Sequence, residues 1–390
     1  DKIKFLDLGK QPIANGFLDS TEDFENEFFY DLSVGYDIDT GLVTQMNYVD
    51  KELMFNDSYA YRGSMSSTMR SHFNRISESL QRYLDYDPKV LEIGSNDGVF
   101  LRNWYQENTF AVEPCGNFAA ETNNMGYQTY EEFWNMETSN KVLEEQGGMD
   151  LVFSANCMCH IPDLDEAFKS VANILNNNGL FVFEDPSLSD MIILNSYDQI
   201  YDEHPHIFSV LALEKILNRN NMMIIKVEHC NVHGGSNRIY AKKGLDNQRH
   251  ESFYSSIELE KNMGLNSLSI FNEFSHNVHA SKEDLLILLD KFKNDGSKVI
   301  SYGATSKSTT VFNYCNIDSN LIEYITDTTP EKQGKYSPGT HIPIISPEEG
   351  FDNSVDFAFL GAWNFADEIK DKEKDFTGKF FTHVPVVRFF

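Results

Sequence analysis

"LEIGSNDGVFL" (91–101) is an apolar run that breaks at a glycine, crosses an acid-bearing turn and becomes apolar again. Its first half belongs to "KVLEIG" (89–94), the pattern of a short strand buried on both faces of a parallel sheet. Gly94 and Gly98 allow a sharp turn and a close approach of ligand to backbone. The reading places a helix directly after them, with unpaired amides at its N-terminus. A dinucleotide loop wants G-x-G-x-x-G beneath a pyrophosphate. Here the loop carries Glu92 and Asp97, which repel a pyrophosphate and suit a cationic or amino-bearing ligand.

Working outward, "FAVEP" (110–114) and "MDLVFSAN" (149–156) read as the next strands. "PDLDEAFKSVANILNNNG" (162–179) reads as an amphipathic helix with an acidic first turn and a glycine stop, and "LFVFED" (180–185) as a strand. "MMIIKVEHC" (222–230) and "NRIYAKKG" (237–244) pair as a closing antiparallel ribbon. Such alternation predicts an α/β fold with a doubly wound parallel sheet. Glu113 ends the second strand, where an acid grips ribose hydroxyls. S-adenosylmethionine (SAM) has a sulfonium, an ammonium and a ribose, and it matches these acids. The cofactor set expected from this is Glu92, Gly94, Asn96, Asp97, Gly98, Glu113 and Pro114, with Phe133 and Asn156 on later loops.

The 390 residues predict more than one domain. The expected divisions are 1–75, 76–245 and 246–390. Sixty acids against 32 bases give a net charge of -28, a field that repels nucleic acid and anionic membranes. No apolar run is long enough to span a bilayer, and no leader segment follows Asp1. The five cysteines are scattered, and the C-x-C of Cys157 and Cys159 has no second pair, so thiols of a reducing cytoplasm are expected.

A second strand–glycine–helix unit begins at "KVISYGATSKSTTVFNYC" (298–315), after a charged helical stretch from about 251 to 295. Its loop has the opposite character to the first. Ser306, Lys307, Ser308 and Thr309 sit where the helix begins, with hydroxyls, amides and a cation suited to a diphosphate. Lys332 and Gln333 follow at the same edge, and no Walker loop is present.

"NSYDQIYDEHPHIFS" (195–209) crowds tyrosines, histidines and carboxylates together. His204 is the expected general base, since imidazole titrates near neutral pH. Pro205 disfavours helical geometry at His204 and turns it toward a cleft. Glu203 is expected to hold the imidazole or to share the base role, and Tyr201 to donate to a developing oxyanion. A plain helix-to-strand connection is the bland alternative. His160, after the third strand, is read as a further donor in the same cleft, or as the neighbour of a helix cap. In "NVHGGSNRIYA" (231–241), His233 and Arg238 flank Gly234 and Gly235, and Arg238 either forks onto a phosphate or carboxylate or stands exposed on a hairpin.

These phrases, with "DTTPEKQGKYSPGTHIPI" (327–344) and "WNFADEI" (363–369), occur in an order that resembles the C-methyltransferases of nucleotide-linked keto-deoxysugars, over nearly the whole chain. The resemblance implies a small N-terminal zinc-binding domain, a class I methyltransferase core with an antiparallel last strand, and a C-terminal Rossmann-like domain. It implies methylation at C3 of a 4-keto-6-deoxysugar carried on dTDP or GDP. A base removes the proton beside the ketone, and the enolate carbon takes the methyl of SAM, leaving S-adenosylhomocysteine. It places Tyr61 over the reacting centre, Ser64, Ser67 and Arg70 close to it, and Tyr302 with the second loop on the sugar nucleotide. One departure is plain: Asp37 and Thr40 stand where the family carries a C-x-x-C pair, so no zinc is expected. A monomer or weak homodimer is expected. The competing readings are an O- or N-methyltransferase, a nicotinamide-dependent sugar oxidoreductase and a non-catalytic carbohydrate-binding protein.

Overall fold

The computed structural model describes residues 1–84 and 86–390. Its central sheet has seven strands, ordered Met222–Cys230, Ser236–Lys243, Leu175–Pro186, Met149–Ala155, Val90–Ile93, Thr109–Val112 and Gln128–Tyr130. Pairing is parallel from Leu175–Pro186 through Gln128–Tyr130 and antiparallel in the closing ribbon. Strand alternation feeds two cores. Leu91 and Ile93 pack with Phe168 and Val171 of the helix Leu164–Ile174, while Val90 packs with Phe73, Ile76 and Leu80 of the helix Ser67–Leu84. This is the expected α/β sheet with helices on both faces.

Two local expectations fail. The helix expected over 162–179 stops at Ile174, and the strand starts at Leu175 rather than Leu180. Met149 pairs with Leu175 and Leu151 with Leu180, so the asparagine cluster forms an irregular strand entry, tied by Asn176 Nδ2 donating to Asp150 Oδ1 at 2.7 Å. The turn after Gly98 leads into no α-helix: two short 3₁₀ turns, Leu101–Asn103 and Gln106–Asn108, follow, and the next α-helix is Gly116–Asn124. Trp104 is already extended, and the Arg102 guanidinium donates to the Asp97 carbonyl, which ends the turn.

An N-terminal antiparallel sheet joins Lys2–Pro12, Phe29–Asp37 and Val43–Gln45, and its fourth strand, His206–Ile207, comes from the far side of the central region. The sheet rests on the long helix Leu268–Asn294, with Phe5 and Tyr36 rings 5.1 and 5.0 Å from that of Phe271. A third sheet, ordered Ile344–Ile345, Ile325–Thr326, Val299–Tyr302, Phe357–Leu360, Lys379–Thr382 and Arg388–Phe389, is parallel except at its last strand. It forms the second α/β unit expected from Lys298. Among the described residues, no helix is long and apolar enough to cross a membrane.

Residues 1–55 contain neither cysteine nor histidine. Asp37 Oδ1 accepts from the Asp39 and Thr40 amides and from the Thr40 hydroxyl, at 2.9–3.1 Å. The turn is thus closed by hydrogen bonds at the position of the absent cysteine pair. This donor set does not fit a zinc ion, which favours thiolate and imidazole.

Candidate active site

A cavity of about 510 Å³ opens where the three sheets meet. One wall is the loop of the central sheet that the sequence marks as a candidate cofactor loop. Glu92, Gly94, Asn96, Glu113, Pro114, Phe133 and Asn156 all line it. Gly94 is left-handed, and a Cβ there would lie 2.8 Å from Cys157 Sγ, so only glycine fits. Glu92 is buried with Oε2 unpartnered; burial, then the charges of Glu113 and Asp97, holds its carboxyl well above the usual range. Glu113 accepts from the Asn96 amide at 2.7 Å and the Cys115 amide at 2.9 Å, and burial raises it too. Each carboxylate oxygen has a further lone pair for a hydroxyl. An orphaned acid, a backbone cradle and a second acid at the next strand end fit a sulfonium-, ammonium- and ribose-bearing cofactor.

Asp97 and Gly98 do not line this cavity. Asp97 is fully buried and accepts from the Ser64 amide and hydroxyl, while Asn96 Oδ1 accepts from the Gly63 amide at 2.9 Å. Asp97 and Ser64 therefore strap the segment 61–65 onto the loop, rather than gripping ligand as expected. The strap sets Tyr61 on the cavity wall. Arg70 donates to the Ser64 carbonyl and Ser67 to Glu368, so both lie outside the cavity.

The opposite wall carries the proton-handling stretch. His204 is buried, its Nδ1 donates to the Gln199 carbonyl at 2.6 Å, and its Nε2 accepts from the Tyr201 hydroxyl at 2.9 Å. Burial, aided by His160, pushes the imidazole well below its usual pKa, so the neutral ring is favoured. The His160 ring stacks between Phe55 and His204, with centroids 5.3 and 5.1 Å away, and burial lowers it to about 3. Glu203 accepts from Asn15 Nδ2 at 2.5 Å and from the Tyr59 hydroxyl at 3.0 Å, and burial raises its carboxyl. It therefore does not hold the His204 ring, which Gln199 and Tyr201 orient instead. Adjacent Asp202 accepts from the Ala14 amide.

The C-terminal unit supplies the third side. The helix Ser306–Cys315 starts where expected, capped by Thr305, and Ser306, Lys307 and Lys332 line the cavity. Burial lowers the Lys307 ammonium, against the pull of Asp198 and Glu203. Lys332 donates to the Ala304 carbonyl at 2.8 Å. Ser308, Thr309, Gln333 and Tyr302 are turned to structural work: Ser308 caps against Thr305, Thr309 donates to the Ala14 carbonyl, Gln333 to the Asp327 carbonyl and Tyr302 to Glu373.

His233 lines the cavity with its Nε2 buried and unpartnered. Gly234 and Gly235 pack beneath Trp363 and Asp190, where a Cβ would come within 2.3 Å of either. Arg238 contributes no anion fork: it is bound at 2.6 Å by Glu184 and at 2.9 Å by Glu228, inside the sheet. Sequence reasoning missed Asn15, Tyr59, Phe55, Gln199 and Asn364, which reach the cavity from four separate segments. Only "WNF" next to a turn gave any local signal for the last.

The family description "Methyltransferase domain" matches residues 61–227, and the chain is a SAM-dependent methyltransferase. "C-methyltransferase C-terminal domain" matches 231–385, and a zinc binding domain description matches 1–55, the region whose residues do not fit the metal. C-methyltransferase NovU of Streptomyces niveus is 28% identical over 396 residues, spanning 100% of this chain and 94% of NovU. The chain is thus, more narrowly, a SAM-dependent C-methyltransferase. A solved SAM-dependent methyltransferase from Clostridium acetobutylicum matches 45% of this chain and 92% of its own at 15% identity, TM-score 0.36. The CurJ carbon methyltransferase matches 46% of this chain and 56% of its own at 14% identity, TM-score 0.35.

Proposed function

We propose that the protein methylates C3 of a nucleotide-linked 4-keto-6-deoxysugar. The observation that carries this reading is that one cavity is lined together by the acids Glu92 and Glu113, the hydrogen-bonded pair His204 and Tyr201, and Lys307 at the start of the helix Ser306–Cys315. Methylating carbon needs a base, since a C–H beside a ketone is only weakly acidic. Methylating an oxygen or nitrogen needs much less.

SAM supplies an electrophilic methyl group held on a sulfonium. Glu92, Glu113 and the backbone at Gly94 would hold it. The chain's own residues then manage the proton. The Nδ1–H of His204 is fixed on the Gln199 carbonyl, which leaves the Nε2 lone pair to receive the C3 proton. The Tyr201 hydroxyl occupies that lone pair here, and on proton transfer it turns to the ketone oxygen, where negative charge develops. His160, its ring stacked 5.1 Å from that of His204, would donate to the same oxygen. Lys307, Lys332 and the first amides of Ser306–Cys315 would take the diphosphate, in a domain division near residues 75 and 245.

The test is incubation with SAM and dTDP- or GDP-linked 4-keto-6-deoxysugars, followed by mass spectrometry of the sugar nucleotide. A gain of one CH₂ with loss of the exchangeable C3 hydrogen supports the reading. SAM binding without a gain on any keto sugar would sink it.

A further inference from the structure

Cys159, His160 and His204 each offer one ligand atom, and these atoms all lie within 4.8 Å of one another. Cys159 is 1% exposed and is the chain neighbour of His160, whose ring stacks on that of His204. A tetrahedral zinc ion with Zn–N near 2.0–2.1 Å and Zn–S near 2.3 Å needs its ligands about 3.3–3.6 Å apart, within side-chain adjustment of this cluster.

His160 Nε2 is unpartnered, and His204 Nε2 becomes available once the Tyr201 hydroxyl turns away from it. His204 Nδ1 donates to a backbone carbonyl, the arrangement that commonly orients a metal-bound histidine with Nε2 forward. His160 Nε2 is buried with no hydrogen-bond partner, a polar atom left without the contact that burial ordinarily demands. Cys159 lies against the Asp185 carboxyl, whose Oδ1 accepts from the Cys159 amide at 3.4 Å and whose Oδ2 is unpartnered. On metal binding the S–H bond breaks, a metal–sulfur bond forms, and the proton passes to Asp185.

We propose that Cys159, His160 and His204 form a site for one thiophilic divalent cation of the zinc class, and that the bound cation switches the enzyme off. Two imidazoles and a thiolate select such a cation over magnesium or calcium, which take oxygen ligands. Three protein ligands leave a fourth position, toward the cavity lined by His160 and His204. The site is separate from the N-terminal region matched by the zinc binding domain description. The inhibitory half rests on the proposed function, because the cation takes the His204 lone pair that the reaction needs; the binding half does not.

The test uses full-length protein freed of metal by a chelator. Cobalt(II) is titrated and its spectrum recorded for the unmodified chain, Cys159→Ser and Cys157→Ser. One equivalent is expected to bind, with a thiolate-to-cobalt band in the near ultraviolet. Cys159→Ser is expected to lose that band and bind about tenfold more weakly or worse, while Cys157→Ser keeps both. X-ray absorption of the zinc-loaded unmodified protein is expected to show one sulfur and at least two imidazole nitrogens, and it needs no variant to fold. No sulfur in that shell, no band, or a band that survives in Cys159→Ser overturns the site. Equimolar zinc is expected to lower methyl transfer at least about tenfold, reversed by chelator. Full turnover with the cation bound overturns the inhibition alone. A protein that methylates no sugar leaves the cobalt and absorption results to decide the site.

Discussion

Both nitrogens of His204 are assigned by neighbours: one proton is fixed on the Gln199 carbonyl, and one lone pair accepts from Tyr201. Replacing His204 by Asn is expected to lower turnover by about 10²–10⁴. SAM binding by calorimetry is expected to stay within experimental error, because the cofactor wall belongs to other residues. If turnover persists, the proton goes elsewhere. The trio Tyr201, Glu203 and His204 was legible because it spans four residues of continuous chain. What holds it was not: Asn15 is 188 positions from Glu203, and the partner of His204 Nδ1 is a backbone carbonyl, which has no sequence signature. Arg238 and Asp97 were misread for the same reason. Each stands beside a glycine turn, as a ligand residue does, yet is satisfied by partners 54 and 33 positions away.

At the scale of elements, one helix end is capped from outside. The Glu260 carboxylate, on the helix Glu251–Met263, accepts from the Val210 and Leu211 amides at the start of Val210–Arg219. Burial raises its pKa to about 7. A carboxyl raised in the fold favours its protonated form, so its contribution to stability is full below the unfolded value and is lost as pH rises through about 7. The melting temperature is expected to fall across that window, and Glu260→Gln to remove part of the slope, as read by calorimetry at about pH 5 and pH 8. An unchanged slope would place the titration in another group. The strands of the central sheet were legible from their apolar runs. Their junctions were not, since the Leu175 start depends on pairing with Met149 and the missing helix after Gly98 on contacts to Asp97.

At the scale of the molecule, the walls proposed for cofactor and diphosphate come from different units. Lys307→Met is expected to raise the sugar-nucleotide KM roughly tenfold to a hundredfold, the size of one lost charge-assisted hydrogen bond, with SAM affinity unchanged. Equal losses of both would show that the two walls are not independent. The order and chemistry of the loops, one acidic and one basic, were visible in the chain. Their convergence on one cavity was not, because it depends on His206–Ile207 crossing to the N-terminal sheet and on side chains joining all three units.

Those crossing bonds also set an order of assembly. The Ile200 carbonyl, just before Tyr201, is held by the Thr310 hydroxyl, 110 residues later. During synthesis at about 5–20 residues per second, the ribosome takes roughly 5–20 s to cover that distance. Throughout that interval the growing chain carries the loop 91–101 but not the Thr310 support for the strip that follows Ile200, so the proposed site is complete only when the last third of the protein is made.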